Sequence, residues 1–312
     1  MPPANSASGG VDFRGNVETI LSMFSVFKRR RPTRFPVLTY HSLHTPGTDY
    51  ESNDHAALEE DLKVIRSCGF HVVDAGHLVD AVIGTCDPPE GDCVAITFDD
   101  GVDFDYRDVE RSGHASIKSF AKILVESGRP VAKSRAAGPA PCATSFVIAS
   151  PAARAILDHT CIAGLGEWTD TWWREAHEGG ILRIGNHSWD HTHSTLPEVA
   201  QRNQMKGTFE NVDTWADADR QIRRAEDYIE KVLGQPSSRL FAVPYGYAVG
   251  YLCNEYLPNF RREHRQIAAF ETGGDYLTLE SNRWRLPRFT CGEHWKTPED
   301  LGRILQQAKR AS

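Results

Sequence analysis

The sequence contains no apolar run near the roughly 18 residues that would mark a membrane-spanning helix. It also has no secretory leader pattern. Its one N-terminal apolar stretch, Ile20-Leu21-Ser22-Met23-Phe24-Ser25-Val26-Phe27, comes before its basic cluster, Lys28-Arg29-Arg30-Arg31, which reverses the order of a signal peptide. A frayed or surface-packed N-terminal helix and a cytoplasmic location are the expectation. A basic surplus is missing as well. Lys+Arg 35 against Asp+Glu 42 gives a net charge of -7, so there is no nucleic-acid footprint. The seven cysteines are odd in number and include no CxxC pair, which argues against a disulfide framework or a zinc ribbon and for free thiols. There is no internal repeat, and nothing in the composition speaks to oligomeric state. Residues 1 to about 34, rich in Pro, Ser, Gly and Arg, read as a flexible lead-in, and 35–312 as one domain without a compositional break.

Within that domain, short apolar strands alternate with helical patterns. Strands are predicted at Val37–Tyr40, His71–Val73, Val94–Phe98, Thr144–Ile148, Leu182–Ile184, Leu240–Val243, Ile267–Phe270 and Arg285–Phe289. Around Asp217–Leu233, Ile222, Ala225, Ile229 and Val232 recur at helical spacing, with Gly234 and Pro236 as the stop. Thr297-Pro298-Glu299-Asp300 reads as a capping box opening a last helix, whose apolar stripe is Leu301, Ile304, Leu305 and Ala308. Such alternation predicts an α/β fold with a mostly parallel sheet, open or closed into a barrel. The segment Ser127–Pro141 reads as a loop insertion.

Chemistry concentrates in two places. Ala95-Ile96-Thr97-Phe98-Asp99-Asp100-Gly101 is an apolar strand that runs straight into two carboxylates, and in parallel α/β folds the working groups sit where strands end. Successive side chains leave a strand in opposite directions, so Asp99 and Asp100 are suited to separate tasks, one binding a metal and one standing beside it. The bland alternative is a solvated Asp-Asp-Gly turn. The second place is Ile184-Gly185-Asn186-His187-Ser188-Trp189-Asp190-His191-Thr192-His193. His187 and His191 are four apart, and one helical turn presents both to one ion. Asp100, His187 and His191 make three protein ligands with an open position, the pattern of a catalytic metal site. His193 is a weaker candidate ligand, and Asp190 is expected to face solvent. Zinc is the default for this donor set, with cobalt, nickel or iron fitting the same ligands.

Together these motifs resemble those of the polysaccharide deacetylase family, carbohydrate esterase family 4 or the NodB homology domain, whose members carry T-F-D-D-G and H-S/T-x-x-H. The likeness continues at Ala143-Thr144-Ser145-Phe146-Val147-Ile148, at Phe241-Ala242-Val243-Pro244-Tyr245-Gly246 and at Arg285-Leu286-Pro287-Arg288, so it spans about 36–305. The resemblance implies a distorted (β/α) barrel of about seven or eight mostly parallel strands. It implies Asp99 as catalytic base, Asp100, His187 and His191 as ligands of one divalent metal, and the backbone N–H of Tyr245 as an oxyanion donor. The family's C-terminal L-x-H motif is missing. A permuted branch carries it near the N-terminus, and Val37-Leu38-Thr39-Tyr40-His41-Ser42 fits that branch, with His41 as general acid; a strand-end His making an ordinary hydrogen bond is the alternative. The family's third motif has Arg where this chain has Ala242, and Arg288 is expected to supply the missing charge.

The activity implied is removal of acetyl groups from N-acetylated sugars, with a carbohydrate as partner. A sugar O-acetyl esterase and a carbohydrate-binding relative without catalysis are the alternatives. A non-haem iron oxygenase also uses two His and a carboxylate, but strand–helix alternation argues against its usual β scaffold. Among the aromatics, Trp168 and Trp172 are spaced for one helix packed on the barrel. Trp189 is the better candidate for stacking on a sugar ring, and Tyr245, Tyr247 and Tyr251 for lining the acetyl pocket.

Overall fold

The computed structural model describes residues 33–42, 47, 49–109, 116–128 and 142–309. Most of the lead-in, its apolar stretch, and 129–141 of the loop insertion lie outside the described residues; Ser127 closes a helix instead. The strands are β1 (Val37–His41), β2 (His71–Val73), β3 (Cys93–Asp99), β4 (Ala143–Val147), β5 (Leu182–Asn186), β6 (Leu240–Ala242), β7 (Ala268–Phe270) and β8 (Phe289–Thr290). Every pairing between these strands is parallel, in the order β7-β6-β5-β4-β3-β1-β8. β2 lies beside the first half of β3 and β4 takes over that edge for the second half, which distorts the sheet. It curls into a distorted barrel whose last gap is spanned by 283–288. Leu286 there bridges Phe270 of β7.

The last strand is shorter than the sequence pattern suggests, and Pro287 is the reason. It offers no N–H to a ladder, so the chain pairs with β7 up to Leu286 and then crosses to pair with β1 from Phe289. Among the described residues no helix is long and apolar enough to cross a membrane.

The helices that matter here are α1 (Asp54–Ser67), α2 (Ala75–Val82), α3 (Phe120–Ser127), α4 (Pro151–Cys161) and α5 (Trp173–Gly179). After β5 come α6 (Trp215–Ala218), a wide π-type turn at Asp219–Arg223 and α7 (Arg224–Leu233), which run on without a break; α8 (Pro298–Lys309) ends the fold. Side-chain oxygens cap several starts: Asn53 for α1, Asp74 for α2, Ser119 for α3, Ser150 followed by Pro151 for α4. Gly234, left-handed at φ 71, stops α7. The Thr297 hydroxyl accepts the Asp300 N–H at 3.2 Å while the Asp300 carboxylate accepts the Lys296 N–H at 3.2 Å, so the start of α8 is capped reciprocally.

Side-chain alternation along β1 and β3 decides what reaches the barrel interior. Leu38, Tyr40, Val94, Ile96 and Phe98 pack outward under the helices. Val37 and Ala95 face inward with Phe146, Leu240, Ala242, Phe270 and Leu286. One layer up, the Thr39 and Thr97 hydroxyls meet at 2.8 Å. One layer further, at the C-terminal edge, His41 and Asp99 are register partners. The interior thus grades from apolar to ionisable along the strands, and period-two geometry alone carries His41 and Asp99 to the same rim.

Candidate active site

At that rim Asp99 is 4% exposed and is gripped by Arg288, which is fully buried. Arg288 Nη1 donates to Asp99 Oδ1 at 2.7 Å and Nη2 to Oδ2 at 2.8 Å, with a third bond from Nη1 to Thr97 Oγ1 at 3.2 Å. Burial alone would push the Asp99 carboxyl up. The Arg288 guanidinium, helped by His187, outweighs it and holds Asp99 well below the usual carboxylate range. The guanidinium lies between the Phe146 and Phe270 rings, 5.4 and 6.0 Å from their centroids. Ala242 belongs to the same inward cluster. The small side chain at 242 leaves room there, and the charge arrives from residue 288 across the interior.

Strand alternation predicts opposite directions for Asp99 and Asp100. The chain leaves the strand instead: Asp100 has φ 77 and Gly101 φ 72, and the turn brings both carboxylates toward His187. A Cβ on Gly101 would sit 2.5 Å from Val147 Cγ1, so only glycine fits. Trp168 Nε1 donates to the Asp100 carbonyl at 3.1 Å and fixes the turn.

His187 Nε2 is 3.6 Å from Asp100 Oδ1 and 4.0 Å from Asp99 Oδ2; His191 Nε2 is 3.8 Å from Asp100 Oδ1. These gaps are too long for hydrogen bonds. Asp100, His187 and His191 each offer one ligand atom, all within 4.8 Å of one another, a spacing that suits donors sharing one ion. The donor chemistry agrees. His187 Nδ1 donates to the Ala242 carbonyl at 2.8 Å, which puts the lone pair on Nε2. Burial, with His187 beside it, lowers His191 well below the ordinary imidazole value, so it is neutral, as a metal ligand must be. Asp100, His187 and His191 therefore fit a divalent ion.

His187 and His191 do not share a helical turn. Residues 187–193 form an irregular turn with Ser188, His191 and Thr192 left-handed, and this, not helical spacing, converges the imidazoles. His193 stays outside the cluster, with Nδ1 2.9 Å from Thr195 Oγ1. Asp190, expected in solvent, is 4% exposed and accepts from Thr192 N, Ala200 N and Gln221 Nε2. Backbone donors need an acceptor there, and burial raises its carboxyl.

His41 receives support through its backbone, its N–H donating to Asp54 Oδ2 at 2.7 Å. Tyr245 is left-handed at φ 61 within Pro244–Gly246, and its ring meets that of His191 edge-on with centroids 4.6 Å apart. Burial and Asp100 push its phenol up to about 12, so it stays protonated. Gly246, at φ 73, leaves no space for a Cβ beside Thr272. Tyr247 is exposed, whereas Tyr251 packs against the cluster around Leu252 and Tyr256. Trp168 lies in a loop before α5 instead of on a helix with Trp172. Both indoles are buried, donating to Asp100 O and Asp103 Oδ1. Trp189 is half-buried with Arg224 3.8 Å over its ring and Tyr228 at its edge, so one face is already covered.

Sequence reasoning passed over Asp105, which reads as one of two acids in Asp103-Phe104-Asp105. It is fully buried and accepts from Ser42 Oγ at 2.7 Å and Ser145 Oγ at 2.6 Å. Burial pushes it up to about 8, against the pull of those hydroxyls. The folded protein thus keeps a proton that an unfolded aspartate releases near pH 4. This stabilisation is complete below that pH and is lost as pH rises through about 8. Asp105→Asn should flatten the dependence, gaining on the order of 1–4 kcal/mol relative to the parent between pH 5 and 9; urea melts at both pH values measure it.

Comparison with known proteins agrees with the geometry. Residues 142–257 match the family model described as "Polysaccharide deacetylase". No curated protein sequence matches. Among solved structures, the Streptococcus pyogenes deacetylase PplD in complex with acetate is 17% identical at a TM-score of 0.58, covering 88% of this chain and 99% of its own. IcaB from Ammonifex degensii is 19% identical at 0.57, covering 89% and 98%. The BpsB deacetylase domain from Bordetella bronchiseptica is 15% identical at 0.53, covering 83% and 96%. At such identities the structures speak for the fold, and residues 142–257, with His187 and His191 among them, are similar to the polysaccharide deacetylase family.

Proposed function

We propose that this protein hydrolyses N-acetyl groups on a saccharide containing N-acetylglucosamine, using one divalent ion held by Asp100, His187 and His191, zinc before cobalt, nickel or iron. The observation that carries the reading is the meeting, at one barrel rim, of a buried ionised Asp99 with a three-donor cluster inside 4.8 Å. Bound there, such an ion polarises an acyl oxygen and acidifies water. Asp99, kept ionised by Arg288, takes the proton of the attacking water. His41, register partner of Asp99, hands a proton to the leaving amine. The Tyr245 backbone N–H stabilises the oxyanion. A cavity of about 260 Å³ is lined by Tyr50, Glu51, Asp54, Cys291, Gly292 and Lys296, Asp54 being the residue that accepts the His41 N–H; its polar lining suits the hydroxyls of a neighbouring sugar. The solved structures of similar fold include a de-N-acetylase from Aggregatibacter actinomycetemcomitans, which favours the amide over the ester.

The test is acetate release from N-acetylated chito-oligosaccharides and from an O-acetylated sugar ester, after chelator treatment and reloading with zinc, cobalt or nickel. Chelation should remove at least nine-tenths of the activity on the N-acetyl panel, and metal should restore it. Release from the ester alone would make the protein an O-acetyl esterase. Tight metal binding with no release from either would make it a binder.

A further inference from the structure

The two imidazoles of the cluster are held by unequal means. His187 is aimed by its bond to the Ala242 carbonyl. His191 Nδ1 is buried and finds no hydrogen-bond partner among the described residues. The direction of the His191 ring is therefore set by its backbone and by the edge contact with Tyr245. That backbone is strained: Ser188, His191 and Thr192 have φ of 71, 61 and 47°, a region L side chains avoid. Three such residues within five persist only where the surroundings over-determine them.

The restraints are visible. Ser188 Oγ accepts the His191 N–H at 2.9 Å. The Asp190 carboxylate accepts the N–H groups of Thr192 at 2.9 Å and Ala200 at 2.5 Å. Asp190 is itself clamped by Gln221, whose Nε2 donates to Asp190 Oδ1 at 2.8 Å and whose Oε1 accepts the Asp190 N–H at 3.4 Å. Gln221 is fully buried, where an amide is costly unless bonded. It sits in the wide turn Asp219–Arg223, where the Arg224 N–H reaches back five residues to the Asp219 carbonyl. The next residue in that turn, Ile222, offers its carbonyl to Asn186 Nδ2 at 3.0 Å, and Asn186 Oδ1 accepts the Ser188 N–H at 2.9 Å. One irregular helical turn thus meets both ends of the segment from Asn186 to Asp190. Such π-type turns recur at functional sites.

We infer that Gln221 is a positioning residue for the metal cluster: presented by the wide turn, it clamps Asp190 and so fixes the left-handed turn that aims His191 at Asp100. This rests on the metal reading above and adds a residue outside the ligand set.

The test compares zinc affinity, by competition with a chromophoric chelator, in wild type, Gln221→Met and Gln221→Glu, with circular dichroism reporting the fold. Methionine keeps the length and removes both hydrogen bonds; glutamate turns the donor into an acceptor facing the Asp190 carboxylate. Expected is a loss of roughly 10–100-fold in zinc affinity for Met and a larger loss for Glu. Gln221→Asn keeps the amide but withdraws it by one methylene, and should lose roughly as much as Met. It also keeps the comparison open if Gln221→Met fails to fold. Folded variants binding zinc within threefold of wild type overturn the inference alone. Wild type that binds no zinc overturns the inference and the metal reading together.

Discussion

Replacing Asp99 by Asn should lower kcat for acetate release by about three orders of magnitude while leaving zinc affinity within a few-fold of wild type. The two halves of this expectation rest on different observations. Asp99 is buried, ionised and 4.0 Å from His187 Nε2, yet it spends both oxygens on Arg288. Asp100 is the carboxylate shared by His187 and His191 at 3.6 and 3.8 Å. A base and a ligand are thus separable by one substitution each. Asparagine keeps the shape of residue 99 and one acceptor but turns an NH2 toward the guanidinium. A stability loss of about 1–3 kcal/mol should accompany it, so rates must be taken well below the melting transition. A hundredfold loss of zinc affinity in Asp99→Asn would make Asp99 a ligand and sink the assignment.

Much of this was legible in the sequence, for identifiable reasons. The strands were readable because parallel strands covered on both faces are short apolar runs, and β3 is buried along its whole length. Asp99 and His41 were readable as rim residues because they end such runs. What the sequence hid were left-handed backbone positions and buried polar partners. The His187–His191 spacing of four suggests a helix, and nothing local announces that Ser188, His191 and Thr192 adopt positive φ; that turn depends on Asn186 and Asp190 being held by Ile222 and Gln221, which are distant in the chain. Trp168 and Trp172 have helical spacing too, but Trp168 is drawn off by the Asp100 carbonyl and Trp172 by Asp103. Buried acids such as Asp105 look like solvated ones until the hydroxyls of Ser42 and Ser145 are seen around them.

Arg288→Met should produce the second large effect, distinguishable from the first by its pH dependence. The wild-type pair holds Asp99 well below the carboxylate range although burial acts in the opposite direction. Remove the guanidinium and burial is opposed only by the weaker pull of His187 and His41, so the Asp99 carboxyl moves up. A depressed carboxyl contributes stability that is present above its unfolded value, near pH 4, and is lost as pH falls through its folded one. Arg288→Met should abolish that contribution and leave an unpaired buried charge, a cost of about 3–5 kcal/mol. The acidic limb of the rate profile should shift upward with it, so that the loss is roughly 100-fold at pH 6 and shrinks toward pH 9, where Asp99 is again ionised. Arg288→Lys restores charge without the two-pronged fit and should fall between. Asp99→Asn, in contrast, should lose rate equally across the range. An Arg288→Met variant that folds and keeps the wild-type pH profile would mean that the charge arriving from residue 288 does not tune the base. The absence of Arg at Ala242 would then be a real deficit in the site.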